Sequence, residues 1–284
     1  MPEFPIVDAH VHFYDPGAVA YPWMREVPAL NVPHLPADYD RRTGSVAVEG
    51  MVFVEVDAAP GRNLDEARWV ERLAGSEPRL RGIVACVPLE QGVAIEPQLA
   101  ALAEIGMARG VRRLLQGHVG EPGWALRAPF VAAVRLLPRY RLSFDLCIFH
   151  PQLAEVTELV RRCPEVDFVL DHIGKPGIRD GLTEPWRANM RALARLPNVV
   201  CKVSGVITEA DHATWTEAEA VPYLAHAIDC FGFDRVMFGG DWPVVELAGS
   251  YRRWVDMLDV VVAGASLAER RKLYCDNAIA FYRL

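Results

Sequence analysis

Short runs rich in Val, Ile and Phe alternate with longer stretches whose apolar residues recur every three or four positions, almost from end to end. The short runs predict strands at residues 5–12, 50–57, 81–89, 110–115, 142–149, 166–172, 198–205 and 234–243. β-branched and aromatic residues favour a pleated, half-buried backbone. The longer stretches, such as NLDEARWVERLA, QLAEVTELVRRC and WRANMRALARL, carry the period of helices with one buried face. Strand and helix alternating eight times predict a parallel sheet with right-handed crossovers. Closed on itself, such a sheet is an α/β fold, a single (β/α)8 TIM barrel over residues 1–284. An open doubly wound sheet is the runner-up, but no GxGxxG follows the first strand and no GxxxxGK[ST] occurs. Two connections exceed a bare turn: residues 13–49, with five prolines and Tyr21-Pro22-Trp23, and residues 206–233, with Trp215. Both are expected at the C-terminal mouth, where barrel enzymes keep their chemistry.

Composition narrows the classes. Hydrophobic residues make up 51% of the 284 and charged residues 24%, as in ordinary globular chains. Lys and Arg number 30 against 37 Asp and Glu, a net charge of −7, and no basic run marks a nucleic-acid partner. No window approaches about 18 unbroken apolar residues, so no membrane span is expected. The opening MPEFPIVDAH lacks a basic stretch followed by an apolar one, which reads as cytoplasmic. Cys86, Cys147, Cys163, Cys201, Cys230 and Cys275 form no CxxC pair, and several sit in apolar runs. They read as reduced core thiols. Oligomeric state is not encoded in any of these features.

The chemistry gathers at strand ends. The first strand closes with Asp8-Ala9-His10-Val11-His12, and a period of two places Asp8, His10 and His12 on one face. Two such imidazoles, about 6–7 Å apart along the strand, can converge on one ion. The sixth strand closes with Asp171-His172-Ile173-Gly174-Lys175-Pro176, the eighth with Gly239-Gly240-Asp241-Trp242-Pro243. Glycines ahead of Asp241 admit a close backbone or ligand. Asp241, following an apolar strand, is an uncompensated buried charge unless it meets a metal, a histidine or a water. Strands eight and one are neighbours in a closed barrel, so three strands deliver His10, His12, His172 and Asp241 to one rim. Glu55 and Asp57 end the second strand as candidates to grip hydroxyls, and Lys175 and Trp242 flank the strongest motifs. Trp242 could form an apolar wall for a bound ring. Ser204 lacks the G-x-S-x-G elbow of a serine nucleophile. His34, His118, His212 and His226 have no supporting pattern and read as surface or loop residues.

HxH on strand one, His on strand six and Asp on strand eight resemble the amidohydrolase superfamily. IVDAHVHFYDP, YPWM, GVRRLLQ, FDLCIFHPQ, DHIGKP, KVSG and FGGDWPV resemble its sugar-acid lactonase branch, which includes L-fuconolactonase, L-rhamnonolactonase and 2-pyrone-4,6-dicarboxylate hydrolase. The resemblance runs from about residue 5 to residue 282. It implies a distorted barrel that opens a cyclic ester with water, and a small sugar lactone, L-fucono- or a related aldonolactone, as partner. Arg112 matches the arginine of the family's GxR on strand four and is expected to hold a substrate oxygen. Binuclear members carry a Lys or Glu on strand four and a His on strand five, whereas this chain has Gly110-Val111-Arg112-Arg113 and Phe144-Asp145-Leu146-Cys147. His150 falls too late in that unit. One divalent ion at most is therefore implied, most simply Zn²⁺ held by His10, His12 and Asp241, with His172 as fourth ligand or as a donor behind them. Asp241 is expected to act as general base towards water, with His172 orienting it. The alternatives are a metal-assisted decarboxylase of the same superfamily and a pyrone-dicarboxylate lactone hydrolase. Decarboxylase relatives tend to read His-x-Gly-Glu after strand six, where this chain has His172-Ile173-Gly174-Lys175.

Overall fold

A computed structural model of the protein describes residues 2–284. Each expected run overlaps a strand, with β2, β3 and β4 starting one or two residues earlier: β1 Ile6–Val11, β2 Val48–Val54, β3 Leu80–Cys86, β4 Ala108–Leu114, β5 Ser143–Cys147, β6 Phe168–Leu170, β7 Val199–Ser204 and β8 Val236–Gly239. The sheet runs β1 to β8 in chain order, each strand parallel to the next. A helix follows each strand: α1 Pro36–Thr43, α2 Asn63–Ala74, α3 Glu96–Ala103, α4 Ala128–Val134, α5 Leu153–Arg162, α6 Trp186–Ala194, α7 Glu217–Phe231 and α8 Tyr251–Val261. α9 Leu267–Arg271 and α10 Asn277–Tyr282 complete the chain. This is the (β/α)8 barrel.

The 3.6-residue pattern placed α2 at its observed bounds, but it missed α1. The sequence PADYDRRT has no apolar stripe, so periodicity had nothing to detect. Pro36 starts the helix, and the Asp38 carboxylate caps it by accepting the Leu35 amide at 3.0 Å. β6 is also shorter than residues 166–172 suggested. After Leu170 the chain leaves the strand and enters left-handed backbone, with φ of 54° at His172, 48° at Ile173 and 45° at Lys175.

Along each strand one set of side chains packs on the helices and the other faces the barrel axis. Val7, Ala9, Val52, Val54, Val84, Val169 and Met237 form the inner set, together with Cys275, Ala278 and Tyr282 from the C-terminal segment. That segment lies against the starts of the strands, where Arg283 donates to the Arg141 carbonyl at 2.6 Å just ahead of β5, and it seals the end opposite the mouth. All six cysteines are free thiols, five of them buried. Among the described residues no helix is long and apolar enough to cross a membrane.

Candidate active site

The barrel closes where β1 meets β8, and there the sequence motifs meet. The Asp241 amide donates to the His10 carbonyl and the His12 amide to the Trp242 carbonyl, both at 2.8 Å. Backbone hydrogen bonds across the seam therefore fix Asp241 against the two histidines before any side chain acts. The register slips by one residue between Asp8 and Val11, a β-bulge. The bulge breaks the period of two, so Asp8 does not share the face of His10 and His12. Its carboxylate turns to the helix side and accepts from the hydroxyls of Tyr39 at 2.9 Å and Tyr251 at 3.0 Å. It also accepts the amides of His10 and Gly240, at 3.0 and 2.7 Å. Asp8 is thus a tie across the seam.

Two glycines make the close approach possible. A Cβ on Gly240 would collide with Tyr251 and with the Asp8 carboxylate. Gly205, which ends the KVSG motif at φ 49°, lies against Asp241, and a Cβ there would overlap its carboxylate. Gly205→Ala is expected to displace the Asp241 side chain and lower turnover about tenfold or more, since small misplacements of reacting groups are costly. Steady-state kinetics beside a melting curve check this; activity within twofold of the parent would show that the turn can shift harmlessly.

Around Asp241 the histidines have defined roles. His12 Nδ1 lies 2.7 Å from the Val54 carbonyl, which can only accept, so Nδ1 carries a proton and Nε2 is the ring nitrogen left to the site. That Nε2 faces Asp241 Oδ1 at 3.3 Å. Two acceptors so close call for a cation between them, a proton or a metal ion. His10 Nε2 lies 3.7 Å from the same oxygen, receives a hydrogen bond from Arg112 Nη1 at 3.3 Å, and its Nδ1 faces Asp171 Oδ1 at 3.4 Å. Ligands about 2.0–2.1 Å from a tetrahedral zinc lie about 3.3 Å apart, and His10, His12 and Asp241 bring one ligand atom each within 4.8 Å of one another. The donor set and spacing fit one divalent ion such as zinc. Among the described residues no histidine, cysteine or carboxylate of β4 or β5 joins that group.

His172 stands beside this trio. Its Nδ1 lies 2.9 Å from Ser204 Oγ and 3.2 Å from the Ser204 carbonyl. It is 3.8 Å from Asp241 Oδ2. Ser204 thus orients the imidazole rather than attacking substrate, a role the missing serine elbow left open. Burial lowers the His172 pKa to about 4 against the pull of Asp241, and burial holds His10 well below the ordinary histidine range. For Asp241, burial acts upward, but His172, His12 and His10 outweigh it and keep the carboxyl well below the usual carboxylate range. At neutral pH the site holds an ionised carboxylate among imidazoles.

Behind the site runs a buried charge chain that spans the barrel. The Tyr282 hydroxyl donates to Asp145 Oδ2 at 2.7 Å, and Lys202 Nζ binds the same oxygen at 2.6 Å. Lys202 also pairs with Asp171 Oδ1 at 3.2 Å, and Asp171 Oδ2 with Arg112 Nη1 at 3.3 Å. Burial acts to raise Asp171, yet Lys202 and His10 outweigh it and hold the carboxyl well below its ordinary range.

Several expected substrate contacts are committed elsewhere. Arg112 is buried, with Nε on Glu55 Oε1 and Nη2 on the Glu55 carbonyl, both at 2.6 Å. Glu55 is fully buried and also accepts the Asp57 amide at 2.7 Å, so both of its carboxylate oxygens are engaged within the protein. Trp242 is packed among Phe13, Tyr39 and His34, with ring centroids 5.3–5.9 Å away, and does not wall a ligand. Lys175 does reach the rim, donating to Gln116 Oε1 at 2.6 Å. His34 is a half-buried residue of the first long connection, as expected of a loop position, and touches that aromatic cluster. His226, by contrast, is buried on α7 against Trp186 and is neither a surface nor a loop residue. His118 stacks on Trp124, and His212 lies exposed in its loop.

Zinc binding is expected at about one equivalent after chelation and reloading, with His12→Gln weakening it more than about tenfold. Elemental analysis after dialysis reads this, and no retention by the parent protein would contradict it.

A model of the amidohydrolase family matches residues 7–284. The chain is 33% identical over 298 residues to an L-fucono-1,5-lactonase from Burkholderia multivorans, spanning 98% of this chain and 96% of that one. It is 22% identical over 339 residues to an L-rhamnono-gamma-lactonase from Scheffersomyces stipitis, covering 100% of both. An amidohydrolase from Burkholderia multivorans solved with bound HEPES matches with a TM-score of 0.87 at 32% identity, over 99% of this chain and 100% of that. The same organism's amidohydrolase solved with bound zinc gives a TM-score of 0.85 at 32% identity over the same shares. With a barrel of this topology and a His–His–Asp group at its seam, the chain belongs to the amidohydrolase family.

Proposed function

We propose that this protein hydrolyses a sugar-acid lactone, of the L-fuconolactone kind, to the open-chain acid. The observation that carries the reading is Asp241, an ionised carboxylate buried at the barrel mouth and framed by His10, His12 and His172. Such a group can accept a proton from water but, lacking a thiol or activated hydroxyl beside it, is not paired with a nucleophile of its own.

In the proposed sequence, water attacks the acyl carbon while Asp241 takes its proton, and an oxyanion forms on the carbonyl oxygen. His172, with Nδ1 held by Ser204, keeps Nε2 free to orient that water. As the carbonyl reforms, the ring C–O bond breaks and Asp241 returns the proton to the departing alkoxide. The product is the hydroxy acid, which ionises in solvent. A divalent ion on His10, His12 and Asp241 would supply Lewis-acid polarisation of the acyl oxygen. Arg112 serves from behind: Glu55 and Asp171 hold its guanidinium beside His10, where it donates to Nε2 while no ion is bound and would yield that lone pair to the ion.

Substrate charge follows from the rim. Arg113 turns away and pairs with Glu90 at 3.0 and 2.9 Å, and the Arg112 guanidinium is occupied. That leaves Lys175 as the rim cation near Asp241, with Glu209 beside it. A dianionic ring would meet one cation and a carboxylate, whereas a neutral polyol ring meets donors and acceptors together. Aldonolactones are therefore expected to turn over at least about tenfold faster in kcat/KM than 2-pyrone-4,6-dicarboxylate, in line with one unfavourable charge contact. A side-by-side assay of ring opening tests this reading, and the reverse order would move the assignment to the pyrone hydrolase.

A further inference from the structure

Lys175 and Glu209 stand on different loops at the mouth, one after β6 and one after β7. The loops are tied together, because the Arg179 amide donates to the Glu209 carbonyl at 3.0 Å. Lys175 is further held by Gln116 from the turn after β4. Its Nζ lies 3.9 Å from Glu209 Oε1, too long for a hydrogen bond between them. The side chains are mostly covered, 16% and 18% exposed, so both charges are partly desolvated without closing on each other. Among the described residues no hydrogen bond reaches the Glu209 carboxylate, and Lys175 is its ion-pair partner. Lys175 closes the turn that carries His172, its amide donating to the His172 carbonyl at 2.9 Å. Glu209 ends the turn that starts at Gly205, which lies against the Asp241 carboxylate, so the two loops flank the proposed base. The left-handed backbone at Lys175 and at Gly205 aims the two loops at this spot, and such strain clusters at ligand sites.

We infer that Lys175 and Glu209 form a bracket for the vicinal diol next to the acyl carbon of the substrate. One hydroxyl accepts from the ammonium and donates to the carboxylate, and its neighbour completes the bracket from the other side. The inference rests on the lactonase reading for the position of the acyl carbon beside Asp241. It adds a substrate class: lactones hydroxylated at C2 and C3, selected by a Lys–Glu pair rather than by an arginine clamp. Glu209 was not singled out by sequence, since TEADHATW carries no motif; only the fold places it beside Lys175.

The test compares L-fucono-1,5-lactone with its 2-deoxy analogue in the parent protein, in Glu209→Gln and in Lys175→Met. The parent is expected to favour the hydroxylated lactone by about tenfold or more in kcat/KM, the usual worth of a hydrogen bond to a charged group. In both variants that ratio should shrink towards one, a readout that a purely structural loss would not move. An unchanged ratio in both variants overturns the bracket. Turnover of neither lactone by the parent removes the lactonase reading, and the bracket is then read by calorimetry with L-fuconate and 2-deoxy-L-fuconate. About tenfold weaker L-fuconate binding in Glu209→Gln supports it, and equal binding of the two acids by the parent, or no binding, overturns it.

Discussion

Asp241→Asn is expected to reduce lactone hydrolysis by about 10²- to 10⁴-fold, the range that general acid–base catalysis contributes. The substitution preserves shape and the backbone hydrogen bond to His10 while removing the charge and the basic oxygen. Melting should stay close to the parent, because Asp241 is tied into the seam through its backbone. The pH profile adds an independent check. His172 is neutral above its pKa of about 4, so kcat/KM is expected to hold level down to weakly acidic pH. It should fall as pH drops through about 4, when the new imidazolium pairs with Asp241 and withdraws its lone pair from water. Retention of most activity in Asp241→Asn would remove this carboxylate from the mechanism.

Lys202→Met is expected to be the most destabilising single change in the barrel interior. Lys202 is fully buried and is the cation shared by Asp145 and Asp171. Removing one partner of a buried ion pair costs about 3–5 kcal/mol because the other charge is left uncompensated. At this chain length that corresponds to a fall in Tm of roughly 6–15 °C. The pH dependence has a definite sign. Burial already holds Asp145 above its ordinary range against the pull of Lys202. Without the ammonium its folded-state pKa rises further, so stability is lost as pH rises through it, while Asp171 loses the largest of the charges that hold it down. The Tm deficit should therefore be larger at pH 8 than at pH 5. Lys202→Met with Asp145→Asn should recover part of it. A deficit independent of pH would point to packing rather than charge. The same change is expected to weaken catalysis, since Asp171 faces His10 Nδ1.

The strands were legible because each is a compact β-branched run between polar turns, and the barrel followed from their number and alternation. The meeting of His10, His12 and Asp241 was legible for a related reason: they sit at the ends of strands one and eight, which closure makes neighbours. What stayed hidden depends on partners or on backbone detail. A one-residue bulge decides that Asp8 faces Tyr39 and Tyr251 instead of the ion, and nothing in DAHVH announces it. Arg112 stands among three arginines in β4, whereas Asp145 and Lys202 are each the one charged residue of their strand. That oddity was a usable signal, since charges facing a barrel axis must find each other, but which pairs form depends on register across the interior. Glu55 and Trp242 were assigned to substrate by position alone, and they lost that place to Arg112 and to an aromatic cluster built by the long first connection. Ser204 gained a role only once His172 had turned into left-handed backbone beside it.

The most direct measurement incubates the protein with L-fucono-1,5-lactone in water enriched in ¹⁸O and reads the product by mass spectrometry, with Asp241→Asn as the control. Attack of water on the acyl carbon predicts the ring-opened acid with one ¹⁸O in its carboxyl group, formed well above the spontaneous rate and near that rate in the variant. Release of CO₂ from a candidate acid with no accelerated opening of any lactone, or equal opening by both proteins, would contradict a hydrolase built around Asp241.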